Sequence, residues 1–176
     1  MAAPPLLIRQ ADGVDLERVT EIKVLSWADT YGALLRPETL APFLDHGRQL
    51  DYMRDVARRP ATLLLVADER TRGVVGFALT YLDEEPEPWL ESLHVLREMR
   101  SHGVGTELMR ATALELRARG YNTMRLGVVS GNQAATRFYE RLGATFAGRE
   151  PASWAEGVWH ELYRWDHLET LTLQNR

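Results

Sequence analysis

The sequence predicts an α/β domain built on a mixed sheet, and three observations predict it. Two β-rich runs, Thr62 to Ala67 and Val74 to Leu82, are joined by Asp68-Glu69-Arg70-Thr71-Arg72-Gly73, which reads as an antiparallel hairpin. A patterned strand from Trp89 to Val95, a helix and a strand from Tyr121 to Val129 then follow one another. Strand, crossover helix and strand imply a parallel pair with a right-handed connection. Around both units lie segments whose apolar residues recur at helical spacing. A chain of 176 residues holds one domain with its own core and is too short to expect two. Residues 6–168 are read as that domain, with 1–5 and 169–176 as terminal tails.

In chain order, Leu6-Leu7-Ile8-Arg9 reads as a first strand, closed by Ala11-Asp12-Gly13. Asp15 suits the N-cap of a helix whose stripe includes Val19, Ile22 and Leu25 and which ends near Gly32. Pro37 fits the first position of a short helix carrying Leu40 and Phe43. Leu50, Met53 and Ala57 mark another helical segment, stopped by Arg59-Pro60. After the hairpin comes an acidic, proline-broken loop, Asp83 to Pro88, and then the strand Trp89 to Val95. The helix from about Thr106 to Arg119 sets Leu108, Met109, Thr112, Ala113 and Leu116 on one arc, with Glu107, Arg110 and Arg117 opposite. Gly120 ends it. Asn132 caps a helix with Ala135, Phe138, Tyr139 and Leu142 in one stripe and Gly143 as its stop. A strand from Thr145 to Arg149, a loop and a strand from Val158 to Trp165 close the domain.

Composition excludes several function classes. Net charge is −4 and the pI is near 5.8, so neither nucleic acid nor an anionic membrane is an expected partner. Met1-Ala2-Ala3-Pro4-Pro5 lacks the charged and apolar regions of a leader, and the most apolar run, Ala61 to Ala67, is far short of the about 20 residues that span a bilayer. A cytoplasmic location is expected. Without cysteine there is no disulfide, thiolate metal site or cysteine nucleophile. The five histidines show no metal-binding spacing, so no metal is expected.

The stretch Arg100-Ser101-His102-Gly103-Val104-Gly105 lies between a strand and a helix N-terminus. The first N–H groups of a helix have no internal partner and the helix dipole adds partial positive charge, so this turn is an anion cradle. Gly103 and Gly105 lack a Cβ, which lets an anion approach the backbone, and Arg97, Arg100 and His102 add cationic or donor side chains. A dinucleotide fingerprint would need a third glycine where Leu108 stands, and a P-loop needs Gly-Lys where the chain has Gly105-Thr106. Both nucleotide readings fail.

The cradle resembles motif A of the GNAT superfamily of acyl-CoA-dependent N-acetyltransferases, Arg/Gln-x-x-Gly-x-Gly/Ala, here Arg100-x-x-Gly103-x-Gly105 after Leu90-Glu91-Ser92-Leu93-His94-Val95. Downstream, Asn132-x-x-Ala135-x-x-Phe138-Tyr139-Glu140-x-x-Gly143 is similar to the family's motif B. The resemblance covers essentially Leu6 to His167. Two departures stand out: Arg97 replaces a frequent proline, and Ser101, which offers a hydroxyl, a frequent glycine. Neither removes a backbone N–H. The resemblance implies a central, mostly antiparallel sheet of six to seven strands with a splayed parallel pair, flanked by about four helices.

It also implies acetyl-CoA as co-substrate. Its pyrophosphate would sit on Arg100, Ser101, His102, Gly103, Val104, Gly105 and Thr106, and its pantetheine arm along Leu93, His94 and Val95. Asn132, Ala135 and Phe138 would complete the cofactor contacts. Tyr139 is the implied general acid, protonating the departing thiolate; by its position alone it also completes a core stripe. A neutral amine must attack, and an alkyl amine is largely protonated at neutral pH, so a base is needed. Glu91 is the leading candidate, its alternative being an ordinary strand carboxylate in an ion pair. His94 is the poorer candidate, because strand alternation sets it on the face opposite Glu91. Trp27, Tyr31 and Trp154 are candidates for the acceptor pocket, and Trp159 lies in the same region; a purely packing role is open for each. Asp83, Glu84, Glu85 and Glu87 read as a solvated loop more readily than as an attractor of cations. The expected activity is direct acetyl transfer to a primary amine, favouring a small molecule. A protein N-terminus or lysine as acceptor, and a non-catalytic acyl-CoA-binding module, are the alternatives. Dimers are common in the family.

Overall fold

The computed structural model of the protein describes residues 5–173. Met1–Pro4, where no leader signature was read, lies outside the described residues, as does the end of the C-terminal tail. The described residues form β1 (Leu6–Gln10), α1 (Leu16–Tyr31), α2 (Pro37–Leu44), α3 (His46–Ala57), β2 (Thr62–Glu69), β3 (Gly73–Tyr81) and β4 (Trp89–Val95). They continue through α4 (Val104–Ala118), β5 (Met124–Val129), α5 (Gln133–Arg141), β6 (Thr145–Pro151), β7 (Trp159–Trp165) and α6 (Glu169–Thr172).

The seven strands make one sheet in the order β1-β2-β3-β4-β5-β7-β6, antiparallel at every junction except β4 with β5. The apolar runs of β2 and β3 are buried almost throughout, as strands covered on both faces must be. Helix α4 covers one face and α1 the other. Two neighbouring residues of β3 show this: a Cβ on Gly76 would lie 3.4 Å from Leu108 of α4, whereas Phe77 pairs with His94, whose ring bonds Ser26 of α1.

Most elements follow their sequence signals. Pro37 opens α2 at its first turn, and the Asp45 side chain accepts the Arg48 N–H to cap α3. The arc Leu108, Met109, Thr112, Ala113 and Leu116 is buried as its periodicity predicts. Two stripes shift. In α1 the buried arc is Leu16, Val19, Ile22, Lys23 and Ser26, and Leu25, expected in the stripe, is 49% exposed. With about 100° of turn per residue, Leu25 falls beyond the edge of that arc. In α3, Val56 rather than Ala57 is buried, for the same reason.

Boundaries move where capping decides them. Gly103, at φ 82°, caps α4, which therefore starts at Val104 and not Thr106. After α4, the Tyr121 N–H donates to the Leu116 carbonyl and Gly120 takes φ 90°, so the chain stays in a turn and β5 starts only at Met124. Residues read as tail continue into α6, where Leu171 is buried beside Leu168 and Thr172 meets Arg117 of α4.

Leu108 is fully buried and Leu114, on the same helix, is 52% exposed. Leu108→Ala should cost about 2–5 kcal/mol and Leu114→Ala under about 0.5 kcal/mol in denaturant unfolding. Equal costs would show that α4 does not use the predicted face.

Candidate active site

The site begins where the sheet comes apart. β4 is paired with β3 and β5 with β7, but β4 and β5 share a single register pair, Trp89 with Arg125, and separate beyond it. Between the diverging strands and the helices at their carboxyl ends lies a cavity of about 1070 Å³. Leu90 to Val95 of β4 line it on one side, and Leu126, Gly127 and Val128 of β5 on the other. Ser92 opposes Leu79 and Leu90 opposes Thr80, so Glu91 is the extra residue of a β-bulge. The alternation argument that separated His94 from Glu91 assumed an unbroken strand. The bulge interrupts it, and both groups feel the Lys23 ammonium.

At one end, Arg100, Ser101, Gly103, Gly105 and Thr106 border the cavity. Nothing stands within 4 Å of where a Gly103 Cβ would be, so this backbone is open to approach. Gly105 has a packing reason besides. A Cβ there would meet the Phe138 ring at 3.2 Å, so this glycine also makes room for α5. Ser101 has φ 64°, a left-handed conformation that the family's frequent glycine adopts without strain. Val104 is core, 2% exposed, leaving only its backbone N–H at the turn. His102 bonds the Arg100 carbonyl through Nδ1 at 2.8 Å and does not border the cavity. Arg97 is exposed and reaches Asp29 at 3.8 Å instead of the cradle. Arg100 turns inward: its Nε donates to the Val95 carbonyl at 3.1 Å, and its Nη2 lies 3.4 Å from Ser26 Oγ. The carbonyl expected to meet a ligand is thus already bonded on one lone pair.

On the opposite wall, Asn132 accepts the Ala135 N–H and also meets the Tyr31 hydroxyl, so it caps α5 and faces the cavity at once. Ala135, Phe138 and Tyr139 of α5 complete this wall. Burial, with Tyr31 nearby, lifts the Tyr139 phenol well above its ordinary range, so it keeps its proton. Tyr31 therefore lines the cavity between Trp27, 4.5 Å away on its own helix, and Asn132.

The other end is built on α1 and α3. Lys23, Ser26, Trp27, Thr30 and Tyr31 present one helical face, joined by Arg48, Gln49 and Tyr52 of α3. Trp27 stacks on Phe43 at 4.1 Å, and Trp154 meets both edge-on. Trp154 and His160 are bonded through their ring nitrogens at 3.2 Å. Trp159 does not border the cavity; it is 43% exposed, under the Arg149 guanidinium. Glu91 opens onto the cavity yet has protein on most sides, and this desolvation raises its carboxyl above the usual range. The Trp89 indole N–H, 2.9 Å away, and Lys23 oppose that rise. His94 is held to about 3 by burial and by Lys23 and Arg100, with Ser26 Oγ at 2.8 Å from Nδ1, and is too weak a base to serve at neutral pH. Lys23 itself is lowered to about 8 by burial.

The acidic loop is not uniformly solvated. Asp83, Glu84 and Glu85 are exposed, but Glu87 is buried and accepts from Arg164 at 2.6 and 3.0 Å. Lys23, Gln49 and Tyr52 escaped the sequence reading. Lys23 falls within the buried arc of α1, between Ile22 and Ser26, and a lysine inside an apolar stripe was the signal available.

These elements match known proteins. The model of the acetyltransferase (GNAT) family matches residues 24–144. The chain belongs to the GNAT family. An L-methionine sulfoximine/L-methionine sulfone acetyltransferase from Pseudomonas aeruginosa is 30% identical over 102 residues, 55% of this chain and 59% of that protein. The match thus spans less than two thirds of that relative. The PaiA N-acetyltransferase of Thermoplasma acidophilum, solved in complex with coenzyme A, superposes with a TM-score of 0.74 at 19% identity, over 91% of this chain and 98% of its own. A ribosomal-protein-alanine N-acetyltransferase of Brucella melitensis gives 0.69 at 23% identity, over 90% and 98%. At these identities the superpositions establish the GNAT fold. Among the described residues no group of three or more His, Asp or Glu is placed to hold a metal ion, and no helix is long and apolar enough to cross a membrane.

The two glycines should fail for different reasons. Gly103→Ala should destabilise by about 1–2 kcal/mol through its positive φ alone. Gly105→Ala should be partly rescued by Phe138→Leu, read as a coupling energy in a double-mutant cycle of unfolding; strict additivity would refute the packing role.

Proposed function

We propose that the protein transfers acetyl from acetyl-CoA to the primary amine of a small molecule, in one step within a ternary complex. The observation that carries this reading is the splayed strand pair, with an open helix N-terminus at one end of its cavity and the Glu91 carboxylate opening onto it towards the other. The N–H groups of the first turn of α4, with Gly103 open beside them, suit the pyrophosphate. The β5-facing edge of β4 past Trp89 suits the pantetheine arm. Arg100, anchored on Val95 and Ser26, and the Asn132 side chain would frame the donor.

In the transfer step, Glu91 takes the proton of the attacking amine, directly or through water. Tyr139, always in its donor form, gives its proton to sulfur as the carbon–sulfur bond breaks. No cysteine is present to form a thioester intermediate, which favours direct transfer. The stacked wall of Trp27, Phe43 and Trp154 narrows the acceptor end, which favours a small molecule over a peptide or lysine side chain. The paired acid and base argue against a non-catalytic binding module.

A thiol-release assay with acetyl-CoA against amines, amino acids, polyamines and peptides tests this reading; release with none of them would sink it. Tyr139→Phe should lower kcat on the order of 10²-fold and leave coenzyme A affinity unchanged. Unaltered turnover would remove its role as acid. Glu91 acts when ionised, and its pKa lies above the ordinary carboxylate value. kcat/KM should therefore fall as pH drops through that raised value, and Glu91→Gln should abolish this acid limb together with most of the activity.

A further inference from the structure

Lys23 sits on α1 facing the cavity and is only 4% exposed. Its Nζ donates to Gln49 Oε1 at 2.5 Å and lies 4.3 Å from the centre of the Tyr52 ring. Gln49 is fixed for this task, because its Nε2 donates to the Pro42 carbonyl at 2.9 Å. An ammonium has three N–H donors. One goes to a neutral amide oxygen and one side rests on a ring face, and among the described residues no carboxylate stands at ion-pairing distance. Glu91 acts on Lys23 only through space. A buried cation served by neutral partners alone is unfavourable unless an anion arrives to meet it. The cavity thus holds a cation with unused donor capacity close to a carboxylate.

We propose that Lys23 and Glu91 form a two-point site for a zwitterionic acceptor, an α-amino acid, with Lys23 binding its carboxylate and Glu91 facing its amine. The placement of the amine at Glu91 rests on the acetyl-transfer reading above. The carboxylate site rests on the geometry of Lys23, Gln49 and Tyr52. An amine without a carboxylate would leave the Lys23 donor unmet, whereas an α-amino acid neutralises both groups at once. Burial lowers Lys23 towards 8, and an incoming carboxylate would reverse that shift.

The test compares L-methionine with 3-(methylthio)propylamine, and L-phenylalanine with phenethylamine, in steady-state kinetics and in calorimetric binding to the coenzyme A-loaded protein. The wild type should prefer the amino acid of each pair. Lys23→Met should raise KM and Kd for each amino acid about 10- to 100-fold more than for its matching amine, whose own change reads only the effect of Lys23 on Glu91. A wild type that prefers the amines overturns the proposal, and this arm needs no variant to fold. Equal losses for both members of a pair also overturn it, since Lys23 would then act only on the charge of Glu91. Lys23-dependent amino-acid binding without thiol release would uphold the site and sink the transferase reading. Acetylation of the amines with no amino acid accepted would do the reverse.

Discussion

The constraint on which the rest depends is that two parallel strands, neighbours in one sheet, pair at one register position and nowhere else. An unpaired strand edge inside a sheet leaves backbone N–H and C=O groups without partners, which a fold normally avoids. Here the divergence is enforced from both sides. β4 is held by β3 over most of its length and β5 by β7 over all of it, so neither can swing to close the gap. The base of the V is pinned by the loop before β4. Glu87 is bonded to Arg164 of β7 and to Thr123, and the Arg125 guanidinium reaches the Glu85 carbonyl and lies over the Trp89 ring. The acidic loop thus ties the strands where they still touch.

Given the gap, the helices at its mouth divide the labour. α4 brings a backbone-built end, in which the important groups are amides and a glycine held at positive φ. α1 brings a side-chain-built end, with Lys23, Ser26, Trp27, Thr30 and Tyr31 spaced so that one face runs the length of the cavity. Tyr31 is where the two meet. It packs tilted against Trp27 on its own helix, bonds Asn132 across the gap and acts on the Tyr139 phenol through space. A change in the α1 face is therefore felt at the Tyr139 phenol through one ring.

This division explains which parts of the molecule were legible in its sequence. Backbone sites need special residues at fixed spacing, so Arg100, Gly103, Gly105, Asn132 and Tyr139 formed a readable pattern, and the hairpin and the crossover followed from period and turn chemistry. The packing reason for Gly105 was not readable, because Phe138 lies 33 residues away in sequence and meets it only in the fold. Arg97, His102 and Trp159 were drawn in by proximity along the chain, and the structure turns each of them elsewhere. The end of the cavity built on α1 and α3 was the least legible. Its lining comes from α1, α2, α3 and the loop before β7, brought together by packing, and no single segment carries its pattern. The bulge at Glu91 was equally hidden, since a one-residue register shift leaves no mark in alternation over so short a strand.

The protonation states of the site follow from the same geometry. Desolvation is the largest influence on Glu91, Tyr139, His94 and Lys23 alike, and it drives each towards its neutral form. That bias suits the proposed acetyl transfer, in which a protonated phenol and a carboxylate basic enough to accept a proton from an ammonium would take part. It also separates the roles of neighbouring groups: His94, next to cations, is pushed out of the working range, while Glu91, next to Lys23, is restrained from rising further. Lys23 thus holds the Glu91 pKa down while keeping N–H donor capacity facing the cavity. A substrate carboxylate bound there would weaken Lys23's hold on Glu91 and make that carboxylate a stronger base when an acceptor is in place.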